Sequence, residues 1–169
     1  MDCAATSFLA NDGKMKGARP LTPGEIQLAQ SIFGDAIDYA RVRLVRRKWW
    51  PLQPRSVAMA PMGHIHFHPH SDLWSEDFSK EPLLAQGYFI HELTHVWQTQ
   101  KGGRFYLPLM RHPFCKYRFD LKAGKPFERY GLEQQAEIVR YRFLADRGYC
   151  PGPVPPRELF SFASAVQPL

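Results

Sequence analysis

The chain has 169 residues, 44% of them hydrophobic and 14% aromatic, enough for one buried core and too few for two full domains. Its formal net charge of +6 and pI of about 9.4 favour acidic partners. No apolar run approaches the roughly 20 residues that a membrane span needs, and the first residues lack the basic start and apolar block of a secretory leader. Cys3, Cys115 and Cys150 lie far apart, which argues against a disulfide framework and against a cysteine metal site. The expectation is a cytoplasmic protein, exported, if at all, by a route that needs no signal.

Residues 1–20 are small and polar and are expected as a flexible tail ahead of a single domain over residues 21–169. Thr22, Pro23 and Glu25 then form a capping box with proline at the first helical position, so a helix is predicted from there to Gly34. Ile26, Ala29, Ile32 and Phe33 supply its apolar face. In "ARVRLVRRKWW" Val42 and Leu44 alternate with Arg41, Arg43 and, less cleanly, Arg46, the pattern of a half-buried strand with a basic outer face. "SVAMAPMGHIHFHPH" reads as two short strands around a turn at residues 61–63. In the second, Ile65 and Phe67 point one way and His64, His66 and His68 the other. Pro69 closes it.

A helix is predicted to start near residues 79–82 and run to about Gln100, with Ile90, Leu93 and Trp97 on its buried face and Gly102–Gly103 as its stop. Residues 101–130 give no clear element. "GLEQQAEIVRYRFLADRG" is the last helix, with Leu132, Ala136, Val139 and Phe143 as its stripe and Gly148 as its end. The proline-rich C-terminal segment is expected along the surface. The order of elements predicts an α+β domain.

His91, Glu92 and His95 spell H-E-x-x-H inside the predicted helix. Residues four apart lie about 40° off one line, so two imidazoles can converge on one divalent ion while Glu92 reaches water bound to it. Zinc takes four ligands and a catalytic site reserves one for water, so a third protein ligand is required. Glu133 and Glu137, again four apart on a helix, are the candidates. One carboxylate can bind the ion and the other can accept the ring N–H of a ligand histidine. The expected cofactor is one Zn²⁺ per chain.

"HELTH" followed by "EQQAE" resembles the zincin metallopeptidases of the gluzincin type. That resemblance implies Glu133 as the third ligand and Glu137, where aspartate is commoner, as the residue that orients His91. Residues 22–100 are similar to the metallopeptidase domain associated with extracellular contractile injection systems and to bacterial Vgr-related proteins, through "RVRLV", "HIHFHP" and "IHELTHVWQTQ". The resemblance implies a small zincin-like domain, its active-site helix packed on a short mixed or antiparallel sheet, with a second helix bringing the remaining ligand. It implies peptide-bond hydrolysis by a zinc-activated water, with Glu92 as general base. It also places "GHIHFH" beside the cleft, offering its backbone to an extended peptide. The histidines of that strand are then cleft or surface side chains, aids to substrate binding, or a second metal site.

Tyr106, His112, Tyr117, Arg129 and Tyr130 are candidates to steady the oxyanion, Tyr130 because it immediately precedes the Glu133 helix. Residues 101–129 hold eight Lys or Arg against Asp120 and Glu128, so a peptide or protein substrate of acidic character is favoured if this region overhangs the cleft. A non-catalytic, zinc-braced adaptor of a secretion or injection system is the alternative. Nucleic acid is the least expected partner, since no recognised motif for it is present.

Overall fold

The computed structural model describes residues 16–103, 107, 116–160 and 162. Within these, three helices pack around a small mixed sheet, the α+β arrangement expected. Strand β1 (Ala18–Pro20) pairs antiparallel with β2 (Arg43–Val45), and β2 pairs parallel with β3 (Ile65–His66). Helices α1 (Pro23–Phe33), α2 (Leu83–Gly102) and α3 (Leu132–Ala145) complete the fold.

The first strand lies inside the stretch expected to be a loose tail; residues 1–15 of that stretch fall outside the described residues. Ala18–Pro20 is held because Arg19 forks onto Glu25, Nη1 to Oε2 at 2.8 Å and Nη2 to Oε1 at 2.7 Å. Glu25 also accepts the backbone N–H of Thr22 (2.8 Å) and of Phe78 (3.0 Å). Thr22 Oγ1 in turn accepts the Glu25 N–H at 3.1 Å. The capping box read from the sequence is therefore also a buried hub that joins β1, α1 and the 3-10 turn Phe78–Lys80.

Strand β2 is shorter and more central than the alternation predicted. It pairs on both edges, and Leu44 and Val45, on opposite faces of the strand, are both buried, so neither face is a continuous basic stripe. The "SVAMA" segment meets β3 through one antiparallel bridge, Met59 with His66, across a turn where Gly63 has φ 84°. That turn needs glycine, since other side chains rarely enter positive φ. Ile65 and Phe67 point into the core as expected. Phe67, Phe78 and Phe89 stack from the strand through the 3-10 turn to α2, with centroids 5.9 and 4.8 Å apart.

The expected single buried face of α2 is too narrow. Residues 89–96 are buried on every side, because the sheet layer covers one side of the helix and α3 covers the other. Gly87 lets α3 close in. A Cβ there would stand 2.9 Å from Leu144 Cδ2, inside contact distance. Helix α3 buries Ala136, Val139 and Phe143 as predicted, together with Ile138 and Leu144. The C-terminal segment does more than line the surface. Phe160 packs on Phe127 (5.4 Å), and Phe162 on Phe33 and Trp97 (4.9 Å each), so it closes the end of the core where α1 and α2 meet.

Candidate metal centre

His91 and His95 lie one turn apart on α2 and Glu133 stands in the first turn of α3. The close helix pair at Gly87 and Leu144 brings these side chains together. One ligand atom from each of the three lies within 4.8 Å of the others, and among the described residues no other such group of histidine, cysteine or acid forms. The strand histidines thus build no second metal cluster there.

Glu133 Oε2 stands 3.3 Å from His91 Nε2 and 3.3 Å from His95 Nε2. Zinc bonds to nitrogen and oxygen of about 2.0–2.1 Å give a tetrahedron whose edges are about 3.3–3.4 Å. Both His–Glu spacings match such an edge. His95 Nε2 is buried and makes no hydrogen bond, although buried ring nitrogens normally have a partner. A buried lone pair aimed at a carboxylate is the donor set that a divalent cation satisfies.

The outer nitrogen of each ring faces a side-chain oxygen. Glu137 Oε1 lies 2.8 Å from His91 Nδ1, and Gln98 Oε1 lies 2.8 Å from His95 Nδ1. With a proton on each Nδ1, both Nε2 atoms present lone pairs to the same point. Gln98 is fixed in turn, donating to the Leu132 carbonyl (3.1 Å) and to Gln135 Oε1 (3.0 Å), while Gln135 donates to the Tyr130 carbonyl (2.8 Å). Sequence reasoning missed Gln98 and Gln135. Neither stands out in the sequence, because both helices carry several other polar residues.

Burial is the largest influence on the His91 pKa and pushes it down, but hydrogen bonding to Glu133 and Glu137 and the charge of Glu92 outweigh it and raise it to about 9. In the metal-free protein His91 is therefore an imidazolium at neutral pH, and an ion binding at Nε2 would displace the proton there. The same contact works on Glu137, where burial pushes up but the His91 and Arg140 partners bring the carboxyl below its usual range. Glu92 is buried, within electrostatic reach of His91.

Of the oxyanion candidates, Tyr106 and His112 lie outside the described residues. The Tyr130 hydroxyl is engaged with the loop before its helix. It accepts the Lys122 N–H (3.2 Å) and donates to the Asp120 carbonyl (3.4 Å), tying down the loop before α3. Arg129 is exposed. The Tyr117 ring lies nearly parallel to His91 with centroids 6.3 Å apart, and is half exposed. Tyr88 lies parallel to the same ring at 6.5 Å and accepts the Ala58 N–H through its hydroxyl (2.8 Å).

Two of the four histidines of residues 64–70 depart from expectation, while His64 is half-buried and His70 exposed. His66 and His68 are buried, not displayed. Trp49 covers His66 at 5.4 Å, and burial holds the His66 pKa down at about 4. His68 Nδ1 accepts the His70 N–H (3.0 Å). Nor is the backbone of β3 an open edge, since His66 exchanges both its N–H and its carbonyl with Met59 (2.7 and 3.0 Å).

The fold and site define a small α+β domain in which two packed helices present a buried His–His–Glu group able to hold a metal ion. The chain is 42% identical over 153 residues to the type VI secretion system spike protein VgrG2b of Pseudomonas aeruginosa, an alignment covering 83% of this chain and 15% of that protein. The solved effector domain of P. aeruginosa VgrG2b matches the fold with a TM-score of 0.67 at 42% identity, covering 76% of this chain and 75% of that domain. The chain belongs to the family of this effector domain, and spans only a small part of the full-length spike protein. No protein-family model matches it.

Proposed function

We propose that this domain is a zinc-dependent peptidase serving as an effector of a type VI secretion system. The observation that carries the reading is the convergence of His91, His95 and Glu133 at tetrahedral-edge spacing with Glu92 buried beside them. Kinship to an effector domain of a secretion-system spike supports the setting. His91, His95 and Glu133 would hold the ion, with Glu137 and Gln98 orienting the two rings. The ion, when bound, supplies Lewis acidity and brings the pKa of a coordinated water to about 7. Glu92 takes the proton of the attacking water and passes it to the leaving amine. Tyr117, whose ring lies 6.3 Å from that of His91, would donate to the oxyanion. The exposed cations Lys116, Arg118 and Lys122 near Tyr117 in the chain favour acidic peptides.

Glu92→Gln keeps the size of the side chain and removes its basicity. It should retain full zinc stoichiometry and lose peptide cleavage by about 10²–10⁴-fold. Cleavage at the wild-type rate by this variant would refute the mechanism.

A second reading, a zinc-braced adaptor without catalysis, is favoured by the burial of all three ligands between two packed helices, where a bound ion would brace the core. It predicts that zinc removal lowers the melting temperature while wild-type protein leaves peptide libraries uncut.

A further inference from the structure

The loop "RRKWWPLQPR", residues 46–55, has no part in the metal centre. Trp49, Trp50 and Leu52 are 40, 44 and 74% exposed. They are three of the seven large hydrophobic side chains exposed among the described residues, gathered within four positions. Arg46, Arg47, Lys48 and Arg55 surround them, all exposed, and no acid occurs between Asp38 and Asp72. Large apolar side chains clustered on a surface mark an interaction site.

The loop is built to hold these side chains out. Gln53 is its inward anchor, buried to 2% exposure. Its side chain accepts the Trp49 N–H (2.7 Å) and donates to the carbonyls of Val57 (2.9 Å) and His66 (3.0 Å). Its N–H donates to the Trp50 carbonyl (3.1 Å), and Lys48 Nζ to the Pro51 carbonyl (3.0 Å). Trp49 rests one edge of its packing on His66. With Gln53 anchored below, Trp50, Pro51 and Leu52 form an exposed crest.

We infer that this crest is a docking surface for an anionic phospholipid membrane. Indoles settle at the headgroup level, where an apolar body and a polar N–H are both satisfied. Leu52 and Pro51 would enter the acyl boundary, and the four cations would meet phosphate headgroups. Charge alone would equally suit a nucleic acid or an acidic protein. The aliphatic, highly exposed Leu52 at the crest weighs against nucleic acid, because it has no base to stack on, and a convex apolar crest ringed by cations fits an apolar layer lying beneath a charged surface. None of the three helices is long and apolar enough to cross a membrane, so the contact is peripheral. The inference stands apart from the peptidase reading.

The test is sedimentation of the full chain with phosphatidylcholine vesicles, with and without one third phosphatidylglycerol, alongside tryptophan emission. Wild type should bind the anionic vesicles, bind pure phosphatidylcholine weakly, and shift its emission to the blue. Each cation near a membrane surface adds about five-fold, so Arg47→Gln, Lys48→Gln and Arg55→Gln together should weaken binding about a hundred-fold. Leu52→Ser should weaken it at unchanged charge, and this side chain is too exposed for its loss to unfold the protein. Unchanged melting curves check the variants. The inference is overturned if anionic vesicles are not bound or if both variants bind like wild type. It is overturned equally if heparin or a short single-stranded DNA binds more tightly than vesicles and Leu52→Ser has no effect.

Discussion

Glu137→Gln isolates what a carboxylate behind His91 contributes. Glu137 Oε1 lies 2.8 Å from His91 Nδ1 and shares that oxygen with Arg140 Nη1 at 3.2 Å. Glutamine can still accept the ring N–H through its amide oxygen, so the tautomer and ring orientation survive. What is lost is the negative charge that makes Nε2 a stronger donor. Removing partners of this kind costs metal affinity about 10- to 100-fold, or about 1.4–2.7 kcal/mol. Because the geometry is kept and Arg140 already draws on the same oxygen, Glu137→Gln belongs in the lower half, about 10- to 30-fold. Glu137→Ala, which frees the ring as well, belongs at the upper end. The assay is zinc titration against a chromophoric chelator of known affinity. An NMR titration of metal-free protein gives a second readout, since the His91 pKa, held at about 9 partly by this carboxylate, should fall. If Glu137→Gln binds zinc within two-fold of wild type and His91 still titrates near 9, the assigned role is wrong.

Two further outcomes concern stability. Arg19→Met leaves the fully buried Glu25 carboxylate without its cation, a change that costs about 3–5 kcal/mol and should lower the urea midpoint steeply; replacing both residues with methionine should not restore it, because the Thr22 and Phe78 N–H groups then lose their acceptor. In metal-free protein the His91 pKa is raised above its usual 6.5, so its stabilising contribution is complete below pH 6.5 and fades as pH rises through 9. The urea midpoint of chelator-treated protein should drop across that window, and His91→Gln should remove the drop.

The parts of the molecule legible in the sequence were those fixed by local chemistry. Thr22, Pro23 and Glu25 specify a helix start within four residues, and it forms with both reciprocal hydrogen bonds. The four-residue spacings of His91–His95 and Glu133–Glu137 fix which side chains share a helix face, and the structure brings His91, His95 and Glu133 together with Glu137 behind. What depended on non-local packing was not legible. Glu25 reads as a capping residue, but its burial requires Arg19 and Phe78 to arrive from elsewhere in the chain. The alternation of residues 41–46 describes a strand with one wet face, whereas β2 is paired on both edges and has Val45 buried as well as Leu44. Tyr130 is adjacent to the Glu133 helix in sequence, yet its side chain points to residues 120–122, which adjacency cannot reveal. Gln98 and Gln135 hold the second histidine only because α2 and α3 pack, so neither draws attention when each helix is read alone.

The central claim is that α2 and α3 together grip one metal ion. X-ray absorption at the zinc edge, on protein purified without added chelator and assayed for metal content, tests it most directly. One zinc per chain, with two imidazole nitrogens and a carboxylate oxygen at about 2.0–2.2 Å and a further light-atom ligand, is the expected result, and Glu133→Ala should remove the carboxylate and most of the metal. A protein that binds no zinc, or one whose zinc sphere is unchanged in Glu133→Ala, would contradict it.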